Sequence, residues 1–259
     1  MRFGLCAGLD RLSDAKQTGA DYLELPLAAI MALNDADFSQ QVAKPVKDLG
    51  LEIYSCNVFL PGTLRLTGET ADHAAAVSYA KQALDRAQSL NVKAVVLGSG
   101  GARNLPNGFP LEAGLNQMRD FLQLIAPHAE ACGIQIVIEP LNRGESNLIH
   151  TLSDGANLAR RVDHPAVAAL VDYYHMRLSD EFIEGIKKAG PLLAHVHLAR
   201  PLGRTMPQCA EEEPYLDFFR ALKENNYTGN LSLEGAIPEP YIESVKRALA
   251  IMRDVWAGA

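Results

Sequence analysis

IQIVIE at residues 134–139, SDGANLARRV at 153–162 and AALVD at 168–172 decide how this chain folds. The first and third segments are apolar at almost every position and end in an acid, as strands buried on both faces do. The middle one opens on Ser153 as an N-cap and then carries helical spacing. Strand, covering helix and strand in that order describe a parallel sheet with helices on its outside. Short apolar runs recur outward from this unit, at 2–7, 22–27, 52–56, 94–97, 192–198 and 231–234, with amphipathic stretches such as 72–90 and 111–132 between them. Gly50, Gly133, Gly190 and Gly229 stand where helices should stop before the next strand. Eight strand-helix units predict an α/β chain with residues 1–259 as a single (β/α)8 TIM barrel. A doubly wound open sheet is disfavoured, because no GxGxxG turn follows the first strand.

Composition narrows the function. With 48% hydrophobic and 21% charged residues the chain reads as globular, and its net charge of -7 removes the basis for displacing counterions from nucleic-acid phosphates. The acidic run at 211–213 reads as a solvated loop. No stretch approaches membrane-spanning length, and the apolar residues 3–9 meet Asp10 and Arg11 too soon for a secretory core. The four cysteines, Cys6, Cys56, Cys132 and Cys209, lack CxxC spacing and suggest neither a structural zinc site nor a disulfide framework. The expected compartment is the reducing cytoplasm.

The last four strands each finish in a potential metal ligand: Glu139, Asp172, His197 and Glu234. A buried strand has little reason to end in a charge unless several end together around something that compensates them. Strand alternation puts Gln135, Val137 and Glu139 on one face, as it does Ala168, Leu170 and Asp172; Leu193, His195 and His197; Ser232 and Glu234. The apolar residues between them, Ala194 among them, suit the helix-facing side. His195 lies one layer deeper than His197 and reads as a supporting or core histidine. Three carboxylates and one imidazole at the C-terminal mouth form an oxygen-rich site for one divalent ion, favouring Mn²⁺, Mg²⁺ or Co²⁺ over Zn²⁺.

The segments EPLNRGESNLIHT at 139–151, VDYYHM at 171–176, HVHLAR at 195–200 and SLEG at 232–235 resemble the xylose-isomerase-like TIM-barrel sugar isomerases and epimerases. The D-tagatose 3-epimerase and D-psicose 3-epimerase group looks nearest. The resemblance implies that Glu139, Asp172, His197 and Glu234 hold one metal ion, and that Glu139 and Glu234 double as the acid-base pair. It further implies that Glu145 and His175 touch substrate hydroxyls or the carbonyl. The family arginine expected six residues after the ligand histidine is displaced: position 203 is glycine, leaving Arg204 as the candidate and Arg200 as the substitute. A small-molecule sugar substrate, a metal-dependent isomerase or epimerase passing through an enediolate, and a homodimer or homotetramer follow from the same resemblance. A metal-dependent sugar or inosose-type dehydratase would use the same chemistry. An abasic-site endonuclease would need further histidines and an Asp-x-His pair, and a non-catalytic sugar-binding module would not need both glutamates.

Weaker signals surround these. LGSGGARNLPNG at 97–108 reads as a βα-loop needing positive φ or as a backbone cradle for substrate. Glu24 and Asn57 read as substrate contacts or as packing and caps. Phe59, Tyr173 and Tyr174 read as pocket wall or core.

Overall fold

The computed structural model describes residues 1–179, 181 and 183–259. Parallel strands β1 (Phe3–Cys6), β2 (Tyr22–Pro26), β3 (Ile53–Asn57), β4 (Ala94–Leu97), β5 (Gln135–Ile138), β6 (Val167–Asp172), β7 (Leu193–Leu198) and β8 (Asn230–Leu233) form a closed barrel in sequence order. Closure comes from β1 against β8, with Phe3 opposite Leu231 and Leu5 opposite Leu233. The sheet has no free edge, so the alternation read from the sequence becomes inside against outside all the way round.

Long helices cover the later strands: His73–Ser89, Leu111–Ala131, Leu152–Val162, Tyr215–Glu224 and Tyr241–Gly258. The first crossovers are assembled from shorter helical pieces. A π turn, Ser39–Ala43, runs directly into Lys44–Leu49, where Pro45 supplies no N–H to the preceding turn. The helix before β6 starts earlier than Ser153 suggests. Its cap is Thr151, whose hydroxyl accepts the Asp154 N–H at 3.1 Å while the Asp154 carboxylate accepts the Thr151 N–H at 3.0 Å. That reciprocal pair satisfies two donors at once, which Ser153 does not do. Gly50, Gly133 and Gly190 do adopt positive φ at helix ends, whereas Gly229 is small because Tyr227 and the Ala194 carbonyl crowd it.

Most buried apolar residues lie between strands and helices, and a separate inner cluster of Val96, Val137, Ala168 and Leu170 fills one side of the barrel interior. The other side is polar: Tyr22, Glu24, Ser55, His195 and Ser232 are all buried there. Alternation fails at the start of β7. The register against β6 shifts between Ala169 and Leu170, so Leu193 packs with the helix-facing cluster and Ala194 against the inner one, the reverse of the expectation. His195 and His197 keep the inward face. The acidic run is not merely solvated, since Glu212 pairs with Arg200 at 3.5 Å and Glu213 with Arg177 at 3.1 Å. Among the described residues no helix is long and apolar enough to cross a membrane.

Candidate active site

Four adjacent strands deliver their last inward side chains to the mouth. One ligand atom from each of Glu139, Asp172, His197 and Glu234 lies within 4.8 Å of the others. His197 Nδ1 stands between the two glutamates, 3.2 Å from Glu139 Oε1 and 3.3 Å from Glu234 Oε2. Asp172 ends β6 and also caps the helix Tyr173–Leu178, its Oδ1 accepting the Tyr174 N–H at 2.8 Å. Its other oxygen, Oδ2, is buried without a hydrogen-bond partner.

Crowding acids at that spacing in a desolvated mouth is costly, and it shifts their affinity for protons. Burial, then the charges of Glu139 and Glu234, push Asp172 up to about 8. Burial also raises Glu139, although the hydrogen bond from His197 opposes it. Burial would raise Glu234 as well, but His197 and Arg204 outweigh it and hold that carboxyl down at about 2. His197 itself is held well above its ordinary value: burial pulls it down, while Glu24 and Glu234 prevail. The centre is therefore a bowl of three acids that cannot all carry charge without a cation among them, with one carboxyl oxygen left without a hydrogen bond. Three carboxylates and an imidazole suit a hard divalent cation.

Below the bowl, Glu24 anchors the whole arrangement. It is fully buried, and its Oε1 lies 2.8 Å from His197 Nε2. Its Oε2 is met by Ser55 Oγ at 2.6 Å, Ser232 Oγ at 2.7 Å and His195 Nε2 at 2.9 Å. Burial alone would raise this carboxyl; His197 and His195 reverse the effect and keep it ionised. An ionised Glu24 accepts a hydrogen bond from the His197 Nε2–H and so turns the Nδ1 edge of the ring toward the acids. Tyr22 extends the network, its hydroxyl 2.9 Å from Ser232 Oγ. His195 touches Glu24 and none of the three acids at the mouth, in keeping with its supporting reading. Glu24 is neither a substrate contact nor a cap, because it sits underneath. Its one sequence signal was a charge inside the otherwise apolar YLELP.

Around the bowl stand the remaining candidates. Asn57 is not a cap either: its Nδ2 donates to Glu234 Oε1 at 2.7 Å. His175 is buried, and its Nδ1 accepts from the Asn142 main-chain N–H at 3.1 Å and from Asn142 Nδ2 at 2.9 Å. That fixes the proton on Nε2, which points toward Asp172 Oδ2 at 3.5 Å without hydrogen-bond geometry. Burial, then the Arg204 charge, lower His175 to about 3, so it is a neutral N–H donor. Glu145 Oε1 is held by Asn142 Nδ2 at 2.9 Å, and its Oε2 faces Arg204 at 3.4 Å.

Arg204 reaches inward and Arg200 does not. Left-handed backbone at Gly203 and Arg204, with φ of 76° and 47°, turns the loop, and the Arg200 N–H bonded to the Thr205 carbonyl at 2.8 Å closes it. The Arg204 guanidinium lies 2.8 Å from Glu234 Oε2 and 3.8 Å from Asp172 Oδ2, stacked over the Tyr174 ring. Tyr174 is thus at the mouth, whereas Phe59 and Tyr173 are buried in the core.

The glycine-rich stretch serves close approach more than left-handed backbone. A methyl on Gly98 would overlap Glu139 Oε2, and one on Gly100 would lie 2.8 Å from the Glu145 carbonyl. Positive φ falls instead on Ser99 and Gly108. Arg103, fully buried, donates to the Leu97 carbonyl at 3.1 Å and the Glu139 carbonyl at 2.8 Å, tying this loop to the end of β5. We expect Gly98→Ala to displace the Glu139 carboxylate and, if that group takes part in catalysis, to lower turnover by about 10²-fold, the cost of misplacing a positioned group by about 1 Å. Steady-state kinetics with unchanged thermal stability would support this, and wild-type turnover would contradict it.

A family model described as xylose isomerase-like TIM barrel matches residues 12–255. A D-psicose 3-epimerase of Agrobacterium fabrum is 27% identical over 254 residues, covering 93% of this chain and 83% of that protein. A D-psicose 3-epimerase of Ruminiclostridium cellulolyticum is 32% identical over 139 residues, but the aligned part is 52% of this chain and only 45% of that relative's length. Among solved structures, D-psicose 3-epimerase with D-tagatose from Clostridium cellulolyticum H10 superposes with a TM-score of 0.87 at 20% identity, covering 99% of each chain. That likeness is one of fold.

Proposed function

The chain belongs to the xylose isomerase-like TIM-barrel family, and from that footing we propose that it is a divalent-metal-dependent ketose epimerase, with residues 1–259 acting as one catalytic domain. Its relatives include proteins named as D-psicose and L-ribulose 3-epimerases, which supports a ketose as substrate. The observation that carries the reading is the convergence of Glu139, Asp172, His197 and Glu234 with Asp172 Oδ2 left without a hydrogen bond.

These four residues would hold the ion. Bound there, a divalent cation supplies the positive charge that stabilises an enediolate and a template that orients the hydroxyketone. The chain's own residues do the rest. Glu139 and Glu234 come from strands on either side of β6 and β7 and flank the bowl. One removes the proton next to the carbonyl, and the other returns a proton from the opposite face, inverting that carbon. His175, neutral and fixed with Nε2–H inward, donates to a substrate oxygen, and Glu145 accepts from a hydroxyl. Asn57 holds Glu234 in place.

The charge of the mouth favours an uncharged sugar over a phosphorylated one. Arg204 faces three carboxylates, Glu145, Asp172 and Glu234, and Arg103 is spent on main-chain carbonyls. Neither guanidinium is free to take a phosphate.

Incubating the protein with D-psicose, D-fructose, D-tagatose and L-ribulose in D₂O with Mn²⁺ tests the proposal. We expect the epimer, with deuterium at the inverted carbon. Loss of water from the product would mark a dehydratase, and turnover of sugar phosphates alone would refute the free-ketose assignment. His175→Ala should reduce turnover by about 10²-fold, as expected for a lost donor to the reacting oxygen, while Mn²⁺ content stays at the wild-type level. Equal loss of metal would instead move His175 into the ligand set.

A further inference from the structure

The helices His73–Ser89 and Leu111–Ala131 pack side by side on the outside of the barrel. Each runs back from the mouth toward the next strand, so their last turns lie at the opposite end from the candidate active site. There three side chains meet, one of them distant in sequence from the other two: Asp85 on the first helix, His128 on the second, and Cys132 one turn after His128. The i,i+4 spacing of His128 and Cys132 puts both on one helix face. A single Asp85 oxygen lies 2.7 Å from His128 Nε2 and 3.7 Å from Cys132 Sγ.

We propose that Asp85, His128 and Cys132 form a second metal site, for a thiophilic divalent cation of the zinc class, with a fourth position open to water. The donor set combines one carboxylate, one imidazole and one thiolate, which separates it chemically from the sulfur-free centre at the mouth. Tetrahedral zinc with bonds of about 2.0–2.3 Å keeps its ligand atoms roughly 3.3–3.7 Å apart. The Cys132–Asp85 separation already meets that. The His128–Asp85 pair has to open by roughly half an ångström to reach that spacing, and both side chains have room, His128 being 31% and Asp85 60% exposed. Binding exchanges the thiol proton, released to solvent, for the cation. Burial, then the Asp85 charge, push the Cys132 thiol up in the ion-free arrangement, and a bound ion reverses the sign of the local charge. A histidine-aspartate pair on the surface contributes little by itself and has no use for a thiol on the same oxygen. Cysteine spacing could not reveal this site, because the third ligand comes from another helix.

The test is a Co²⁺ titration of the chelator-stripped protein, read at the near-ultraviolet thiolate-to-cobalt charge-transfer band. Cys6, beside Glu24 and His197, is the other thiol near ligand-type groups, so Cys6→Ser serves as the control. The band should saturate at a single Co²⁺ per chain and bleach when zinc is added. It should fall to baseline in Cys132→Ser and His128→Ala, both with unchanged far-ultraviolet circular dichroism, and survive in Cys6→Ser. Absence of the band with cobalt in excess, or its persistence in Cys132→Ser, would overturn the proposal.

Discussion

Replacing Glu139 or Glu234 with glutamine should lower turnover by about 10³-fold or more, within the range that a positioned general acid or base contributes. Glutamine keeps the shape of the side chain but can neither take up nor return a proton, and it removes one charge from the bowl. The two variants should differ in detail. Glu139 is confined by Gly98 and the Arg103-tied loop, so Glu139→Gln has little freedom to relax. Glu234 is gripped by Asn57, His197 and Arg204, and its loss frees Arg204 to turn toward Asp172 and Glu145. Measuring kcat at saturating Mn²⁺ separates lost proton transfer from lost metal. Near-normal turnover in either variant would refute the acid-base roles.

Glu24→Gln should weaken Mn²⁺ binding by about 10–100-fold, as loss of a partner that orients a ligand histidine does. It should also lower stability by about 1–3 kcal/mol, the cost of stranding a buried donor. The two serine hydroxyls can rotate to suit an amide. The two imidazole Nε2–H donors cannot both be met by one carboxamide oxygen in the present geometry, so His195 or His197 loses its acceptor. Calorimetry for Tm and a Mn²⁺ titration read the two effects independently. A Glu24→Gln protein with wild-type Mn²⁺ affinity would show that His197 is oriented by something else.

Strand ends were the legible part of this chain. Apolar runs closing on Glu139, Asp172, His197 and Glu234 announced both a barrel and the residues that meet at its mouth, because strand periodicity and the C-terminal position of the mouth leave few alternatives. The supporting layer was hard to read for a physical reason. Glu24, Ser55, His195 and Ser232 come from β2, β3, β7 and β8 and meet only across a closed barrel, a contact that no spacing along the chain records. Arg204 was harder still, since its inward reach depends on left-handed backbone at Gly203 and Arg204. The inversion at Leu193 and Ala194 has the same character, arising from a register shift against β6 that alternation alone does not anticipate.

Mn²⁺ binding to the chelator-stripped protein, compared with Asp172→Asn, tests the central claim most directly. Asp172 Oδ2 is a buried oxygen of the ligand set that lacks a hydrogen bond, so converting that carboxylate to an amide removes a ligand charge while breaking none at that atom. The account predicts a single Mn²⁺ per chain in the wild type and a loss of affinity in Asp172→Asn beyond the roughly 10–100-fold that a supporting residue costs. Equal Mn²⁺ affinity in the two proteins would contradict it.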